Sequence, residues 1–361
     1  MPLKLTLTGA LDLSWQGLTQ LPDLRPVRDS LRELWLDGNQ LTELPAWLGE
    51  LSALEVLHVE NNALTSLPDS LTALTGLRTL RLYGNHLNDL PLNAQRLTHL
   101  TDLSLGHNRF TKVPSAIWQF TRLKSLNLAE NQLALLPEDL AALTELEMLD
   151  VAHNALIALP RAIGKLTKLS HALYVGDNRL ERLHADVFER LSHLRYFNAS
   201  DNRLASLPDS IGQLAALQEL RITNNLLTAL PDSLSQLAML RELHLSKNRL
   251  THLPDSIGKL AGLRELHLTD NALTGLPDAV GQLRRLTRLD LRNNTLLTLP
   301  DALGALPELR QLDLRANRLR ELPASLLKLP QLEKLDLRWL KLWGLPAEWN
   351  RLEARGCQVI C

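Results

Sequence analysis

The chain has 361 residues, of which 39 are basic and 40 are acidic, so its formal net charge is −1. Because proteins that bind nucleic acid usually carry a basic excess, this balance argues against nucleic acid as a partner. The sequence has 2 cysteines and no long apolar segment. These features argue against a disulfide framework, a signal peptide and a membrane span, and they predict a cytoplasmic protein.

The first 30 residues are predicted to form an N-terminal cap. Leu3, Leu5 and Leu7 alternate with polar residues, which predicts an edge strand. A degenerate repeat follows, marked by Leu11, Leu13, Gln16, Leu18, Leu21 and Pro22. Because the terminal units of a repeat array differ from the internal ones, we assign residues 1–30 to the cap.

From residue 31 onward the sequence repeats itself with a period of 23 residues. The clearest unit begins at Leu240, and the unit that begins at Leu263 matches it position by position. The unit is marked by Leu240, Leu243, Leu245, Asn248, Leu250, Leu253, Pro254, Ile257 and Leu260. Thirteen full units occupy residues 31–331. One such unit cannot bury its leucines alone, so the repeat predicts a stacked array.

Each part of the unit has a predicted structure. Leu243, His244 and Leu245 alternate between inward and outward positions, which predicts a short strand. Asn248 follows at a turn, where its amide can satisfy backbone groups of the neighbouring coil. After Pro254 the apolar residues are three apart, which predicts a 3-10 turn or a single helical turn. The equivalent asparagines are predicted to form a ladder: Asn39, Asn62, Asn85, Asn108, Asn131, Asn154, Asn178, Asn202, Asn225, Asn248, Asn271, Asn294 and Asn317.

The unit at residues 169–193 departs from this pattern. It has one extra residue ahead of its asparagine, and its outer segment is longer and lacks the proline. The next unit has Phe197 and Ala199 in place of two leucines, an exchange that keeps the core volume roughly constant. Two interpretations are open. The extra residue either forms a bulge that turns Tyr174 and Tyr196 toward a ligand, or is an insertion that the array tolerates.

Residues 332–361 are predicted to contain the last repeat and a C-terminal cap. Leu340 stands where the ladder asparagine belongs, which is reasonable once no further coil follows. Three tryptophans nearby are predicted to form the cap: Trp339, Trp343 and Trp349. The segment 357–361 is predicted to add a closing strand.

The repeat LxxLxLxxNxLxxLPxxIxxLxx resembles the short class of the leucine-rich repeat family. The resemblance covers nearly the whole chain. It implies an α/β solenoid, a right-handed horseshoe with a parallel β-sheet on the concave face and short 3-10 or helical turns on the convex face. It also implies that the concave face recognises another protein, without identifying that partner.

The side chains beside the buried leucines face the concavity, and folding does not fix their identity. Exposed Trp, Tyr and Arg side chains often dominate interface energies, although exposed aromatic residues can also be scattered without a partner. We therefore predict a partner-binding surface at Trp35, His58, Arg81, Tyr83, Tyr174 and Tyr196, with Trp15 beside the first four. These strand positions change from mainly acidic in the first seven full repeats to mildly basic in the last seven, which predicts a partner with the opposite gradient.

The C-terminal repeats carry a column of aspartates beside a column of arginines: Asp290, Asp313, Asp336, Arg292, Arg315 and Arg338. We predict that these two columns mainly neutralise each other. His244, His267 and Asp290 lie on adjacent predicted strands, in a pattern that resembles a two-histidine, one-carboxylate metal site. Such rows arise freely when columns vary, so no metal and no other cofactor is expected.

Motifs for a phosphate loop, a zinc protease and a serine hydrolase are absent from the sequence. We therefore predict a non-enzymatic interaction module or scaffold that binds a partner protein, is monomeric and belongs to a bacterium. The alternative is a recognition arm of an enzyme such as a ubiquitin ligase, kinase or GTPase, or a secreted bacterial effector linked to one.

Overall fold

The computed structural model describes residues 9–344 and 346–361. Contacts between residues divide the chain into two compact units, Met1–Asn178 and Arg179–Cys361. The strand predicted at Leu3, Leu5 and Leu7 lies outside the described residues. The division of the chain into a cap, thirteen full repeats and a last repeat with its own cap stays a prediction.

The described part of the first unit contains eight strands of three residues, one from each coil. They are β1 (Ala10–Asp12), β2 (Glu33–Trp35), β3 (Val56–His58), β4 (Thr79–Arg81), β5 (Asp102–Ser104), β6 (Ser125–Asn127), β7 (Met148–Asp150) and β8 (Ala172–Tyr174). Each strand pairs in parallel with the next. The register joins equivalent repeat positions, as in Leu34 beside Leu57.

The described part of the second unit is built in the same way from eight further strands. They are β9 (Tyr196–Asn198), β10 (Glu219–Arg221), β11 (Glu242–His244), β12 (Glu265–His267), β13 (Arg288–Asp290), β14 (Gln311–Asp313), β15 (Lys334–Asp336) and β16 (Gln358–Ile360). These strands also pair in parallel, each with the next. The last strand, β16, is the predicted closing strand, with Val359 beside Leu335.

Short 3-10 segments connect the strands, as the proline and the spacing of three predict. At Pro254 the backbone is extended, with φ −69° and ψ 151°. The amide of Ile257 then donates to the Pro254 carbonyl at 3.0 Å, and the amide of Leu260 donates to the Ile257 carbonyl at 3.1 Å. These bonds span three residues and are typical of a 3-10 turn.

In the first unit the 3-10 segments are Arg25–Val27, Ala46–Glu50, Asp69–Ala73, Ala94–Arg96, Ser115–Gln119, Glu138–Ala142 and Arg161–Lys165. In the second unit they are Ala185–Val187, Asp209–Gln213, Asp232–Gln236, Asp255–Lys259, Asp278–Gln282, Asp301–Ala305, Ala324–Lys328 and Ala347–Trp349. The α-helix Asn350–Ala354 follows the last of them. The predicted fold class, a solenoid with a parallel sheet and short 3-10 turns, is confirmed in both units.

The predicted asparagine ladder joins neighbouring coils through backbone groups. The Asn85 amide nitrogen donates to the Val59 carbonyl at 2.8 Å and to the Leu82 carbonyl at 3.1 Å. Its Oδ1 accepts a bond of 3.0 Å from the Leu64 amide. Asn85 is buried, so these bonds satisfy polar groups that stacking would otherwise leave unpaired. The same pattern recurs at Asn248 in the second unit.

The extra residue of the irregular repeat is accommodated ahead of β8. The amides of Ser170 and His171 both donate to the Glu147 carbonyl, at 3.2 and 2.9 Å, as two successive amides also do in the regular coils. Leu173 nevertheless pairs with Leu149, and Tyr174 occupies the column of Asp150. This preserved register favours the interpretation of a tolerated insertion over that of a bulge that turns Tyr174 in a new direction.

The exchange at Phe197 and Ala199 lies in a closed core. Both residues are fully buried. The Phe197 ring meets the buried Phe188 ring edge to face, with centroids 5.2 Å apart. Phe188 belongs to the outer segment that lacks the proline, so a second aromatic ring also fills the interior of this repeat.

The predicted tryptophan cap is correct for only one of the three residues. Trp349 is 4% exposed and lies in the last 3-10 segment, ahead of the buried Leu352 and Cys357. Trp339 and Trp343 are 67% and 78% exposed. The prediction is therefore wrong for these two, because their repeat positions point away from the interior.

Candidate partner-binding surface

The outward side chains of the strands form a surface in each unit that we call the strand face. On β2 the central Leu34 is fully buried, whereas Glu33 and Trp35 are half-buried. The same alternation occurs on most strands, as on β11 with Glu242 and His244. The strand face therefore carries side chains that the core does not require, at fixed positions on a rigid sheet.

At the start of the first unit, Trp35 and His58 lie on adjacent strands and their rings touch edge to face. The ring centroids are 6.2 Å apart and the planes are inclined by 85°. His58 Nδ1 also lies 3.7 Å from Asp37 Oδ2, two residues after Trp35 in the same coil. The imidazole thus contacts an aromatic ring and a carboxylate of the neighbouring coil.

The next step along the strand face is charged. Arg81 Nε lies 3.1 Å from Asp102 Oδ1 and donates to it. Glu60 is half-buried nearby, and burial, followed by the Asp37 carboxylate, raises the pKa of Glu60 above its ordinary value. A half-buried carboxylate with a raised pKa favours a cationic group of a partner, which would replace the lost solvation.

Tyr83 joins this region to two residues that the sequence did not single out. Its hydroxyl donates to Glu130 Oε1 at 2.6 Å, and its ring stacks on the His107 ring with centroids 5.6 Å apart. His107 Nδ1 lies 2.8 Å from Glu130 Oε2. The bond to Glu130 and partial burial raise the pKa of Tyr83 to about 12. We call the following set the N-terminal patch: Trp35, His58, Glu60, Arg81, Tyr83, His107 and Glu130.

His107 and Glu130 were missed because they stand one position before the ladder asparagine. At this position the backbone is left-handed, with φ of 49° and 54°. The extended-strand pattern of alternating faces does not apply there. The repeat alignment itself could have pointed to them, since polar residues stand at this position in most coils.

Trp15 occupies the same left-handed position in the first coil. Its φ is 58° and its side chain is 75% exposed. The ring lies against the backbone of Gly38. A Cβ at Gly38 would come within 2.3 Å of the ring, so the glycine leaves the space that the Trp15 side chain occupies.

The two other predicted tyrosines belong to different compact units. Tyr174 ends β8 in the first unit, and Tyr196 begins β9 in the second. Both are half-buried. Asn198, at the end of β9, accepts a bond of 2.9 Å from the Ser200 amide and therefore supports its own turn.

In the second unit His244 and His267 stack face to face, with ring centroids 4.4 Å apart and planes inclined by 5°. His244 Nε2 lies 3.2 Å from Glu242 Oε2, and His267 Nε2 lies 2.9 Å from Glu265 Oε2. Burial, followed by the charges of His267 and Arg221, lowers the pKa of His244 to about 4.

The acidic neighbours of His244 are glutamates and not Asp290, which the sequence grouped with the histidines. Glu219, Glu242 and His244 place ligand atoms within 4.8 Å of one another, close enough to hold a metal ion. Glu219, however, already accepts a hydrogen bond from Arg221. A cation at this position would compete with that guanidinium, so this cluster is weaker than its spacing alone indicates.

At the end of the second unit the aspartate and arginine columns pair as predicted. Arg315 Nε donates to both oxygens of Asp313 at 2.9 Å and lies 3.4 Å from Asp336 Oδ2. Arg338 donates to Asp336 at 2.9 and 2.7 Å. Burial alone would raise the pKa of Asp336, but the hydrogen bonds from Arg338 outweigh it and lower that pKa. Asp290 instead accepts from the Arg292 amide at 3.2 Å.

Within the described residues, no helix is long and apolar enough to cross a membrane.

Comparisons with known proteins agree on one family. A family model described as a leucine-rich repeat matches residues 29–87, 98–156 and 171–227, and a model described as a leucine-rich repeat region matches residues 232–339. A search of curated proteins finds no match.

Solved structures give the same result. A leucine-rich repeat protein of Leptospira interrogans is 33% identical, with a TM-score of 0.88 over 97% of this chain and 95% of that one. YopM of Yersinia enterocolitica is 27% identical, with a TM-score of 0.65 over 94% of this chain and 76% of that one. An internalin of Listeria monocytogenes, 22% identical with a TM-score of 0.71 over 93% and 88% of the two chains, shares the fold.

Proposed function

The chain belongs to the leucine-rich repeat family, and on that premise we propose that it binds a partner protein on its strand face, chiefly through the N-terminal patch. Proteins of this family are generally interaction modules without catalytic activity. The observation that carries the proposal is the row of Trp35, His58, Arg81 and Tyr83 along adjacent coils, each in contact with a neighbouring ring or carboxylate. Trp, Tyr and Arg are residue types that dominate interface energies, and here they are half-buried and already oriented.

Electrostatics defines the partner more closely. The N-terminal patch contains Glu60 and Glu130, and Asp37 and Asp102 lie beside it. One arginine of the patch, Arg81, is already paired with Asp102. The remaining carboxylates favour a basic partner segment that also carries an apolar or aromatic side chain to contact Trp35.

The test compares two variants of equal size. The patch variant carries Trp35→Ala, Arg81→Ala and Tyr83→Ala, and the control carries Leu92→Ala, Arg122→Ala and Leu135→Ala, three exposed positions away from the strands. A photo-crosslinking residue at His58 should capture a partner from the source cells, whereas the same group at Leu92 should not. The patch variant should reduce recovery of that partner at least about tenfold, and the control should leave it unchanged.

Equal recovery by both variants, with their circular dichroism unchanged, would show that the patch is not the binding surface. We further propose that the protein is bacterial, cytoplasmic and monomeric, and that it has no catalytic activity of its own. If the captured partner is a ubiquitin ligase, kinase or GTPase, this chain is its recognition arm, which is the alternative function. Secretion into a host during infection would favour the effector version of that alternative.

A further inference from the structure

A second candidate binding site lies at the end of the second unit, beside the strand face. It is an open cavity of about 440 Å³ lined by Leu297, Asn317, Arg318, Arg320, Trp339 and Lys341. Leu297 is 57% exposed, and its side chain contributes an apolar surface next to the Trp339 ring. Large apolar groups that remain exposed beside a concave surface are typical of interaction sites.

Trp339 occupies a position that does not require an aromatic residue. It stands one position before Leu340, with a left-handed φ of 65°. In the preceding coil the equivalent residue is Ala316, whose φ is 52°. A bulky residue is uncommon in this conformation, and an alanine serves the fold one coil earlier. The indole therefore has no evident part in folding and is available for contact.

The guanidinium groups on one side of Trp339 are already neutralised. The Arg315 and Arg338 guanidinium carbons lie 6.0 and 5.7 Å from the centre of the Trp339 ring. Both arginines pair with the aspartates Asp313 and Asp336. They orient the indole through cation–π contact without adding net charge to the cavity.

The cations that line the cavity itself are not neutralised. Among the described residues, Arg318, Arg320 and Lys341 have no carboxylate within salt-bridge distance, and all three are exposed. The Arg320 guanidinium donates to the Lys341 carbonyl at 3.1 Å, which fixes it in the wall. The acidic Glu321 lines a neighbouring cavity with Trp343 and does not line this one.

We propose that this cavity binds an acidic segment of a partner protein, in which carboxylates meet Arg318, Arg320 and Lys341 while an apolar side chain packs on Trp339 and Leu297. This inference rests on the proposed function, because it assumes that the chain binds partner proteins. The acidic segment belongs either to the partner that binds the N-terminal patch or to a second one. Charge complementarity favours an acidic occupant, because three unpaired cations around one indole oppose any basic segment.

The test uses fluorescence anisotropy of two labelled peptides on the full chain. The acidic probe is Gly-Glu-Glu-Phe-Glu-Glu-Gly, and the basic probe has lysine in place of each glutamate. Trp339→Ala should weaken binding of the acidic probe about tenfold. It should leave binding of the basic probe, which the N-terminal patch is proposed to favour, unchanged. The control is Leu135→Ala, which removes an exposed apolar side chain away from the strands and should affect neither probe.

A charge reversal makes the test independent of any loss of folding. The double variant Arg318→Glu and Lys341→Glu should lose binding of the acidic probe and bind the basic probe more tightly than the wild type does, which an unfolded protein would not do. Unchanged binding of the acidic probe with Trp339→Ala, or an equal loss with Leu135→Ala, would overturn the inference. A concentration-dependent dimer that Trp339→Ala abolishes would also overturn it, because the occupant would then be a second copy. Neither result bears on crosslinking from His58, so the proposed function is tested separately.

Discussion

The hydroxyl of Tyr83 donates a hydrogen bond of 2.6 Å to Glu130 although the two residues are 47 positions apart in the chain. The coil between them, which carries Gly106, makes this possible. A Cβ at Gly106 would lie 2.7 Å from Tyr83 Cδ2 and 2.9 Å from Asn127 Oδ1. The absence of a side chain at Gly106 thus lets the tyrosine lie across an intervening strand of the N-terminal patch.

Gly106→Ala is therefore expected to displace Tyr83 from Glu130. Without that hydrogen bond, the pKa of Tyr83 should fall from about 12 toward its ordinary value of 10.0. Spectrophotometric titration of phenolate, with Tyr83→Phe as the blank that isolates this residue, measures the change. Gly275→Ala is the matched control, since a Cβ there meets nothing within 4 Å. A titration curve identical to the wild type would show that the bond does not depend on the glycine.

The same pKa makes the contribution of Tyr83 to stability depend on pH. Its pKa is raised in the folded state, so its stabilising effect is fully present below about pH 10 and declines as the pH rises toward 12. The difference in unfolding free energy between the wild type and Tyr83→Phe should therefore be constant from pH 8 to 9.5 and shrink by pH 11. Urea unfolding over this range measures it. A difference that stayed constant to pH 11 would contradict the raised pKa.

Ladder asparagines can be tested at Asn85, which joins two coils through three backbone bonds. Asn85→Ala removes these bonds and leaves buried backbone groups unpaired, which should cost about 3 kcal/mol of unfolding free energy. Gln132→Ala removes a similar amide from an exposed position and should change stability by less than about 0.5 kcal/mol. Urea unfolding of both variants would show whether the ladder contributes as expected, and equal effects would contradict it.

The sequence was sufficient for the repeated part of the fold because each leucine, asparagine and proline has the same surroundings in every coil. Leu243, Asn248 and Pro254 have the predicted roles, and a period of 23 residues fixes which strand neighbours which. The sequence was also sufficient to place Asp313 beside Arg315, because residues two apart on a strand share one face.

The parts that it could not predict depend on side-chain conformations that no period determines. The bond between Tyr83 and Glu130 requires a tyrosine to cross a glycine, and the clustering of Glu219 with His244 depends on the rotamers of both side chains. The cap prediction was wrong for Trp339 and Trp343 for a different reason. Closeness in sequence grouped them with Trp349, but Trp339 stands at the left-handed position and is exposed, whereas Trp349 is buried in the last 3-10 segment.

His244 predicts a loss of stability in mild acid. Its pKa of about 4 lies below its ordinary value of 6.5, so the unfolded chain takes up a proton between these values before the folded protein does. The unfolded state then binds more protons, and stability falls as the pH drops from 6.5 to 4, by up to about 1.4 kcal/mol per pH unit.

His244→Gln should flatten this part of the stability profile, whereas His252→Gln, at an exposed position, should not. Urea unfolding at several pH values between 7.5 and 4 measures both, and the imidazole resonances of the folded protein report the pKa directly. A pKa of His244 near 6.5 in the folded protein would contradict the prediction. It would also mean that burial beside His267 does not desolvate the His244 imidazole.

Phe197 and Ala199 test whether a large and a small residue compensate each other in the core. Ala199→Leu alone should overpack a fully buried site, and Phe197→Leu alone should open a cavity beside Phe188. Each should cost about 1–3 kcal/mol. The double variant restores the leucines of the other repeats, so it should be more stable than the sum of the single effects by about 1 kcal/mol or more. It should still be less stable than the wild type, because leucine cannot replace the edge-to-face contact with the Phe188 ring.

A double-mutant cycle measured by urea unfolding gives the coupling energy between positions 197 and 199. Strict additivity would mean that the two sites are packed independently and that the exchange is not a compensating pair.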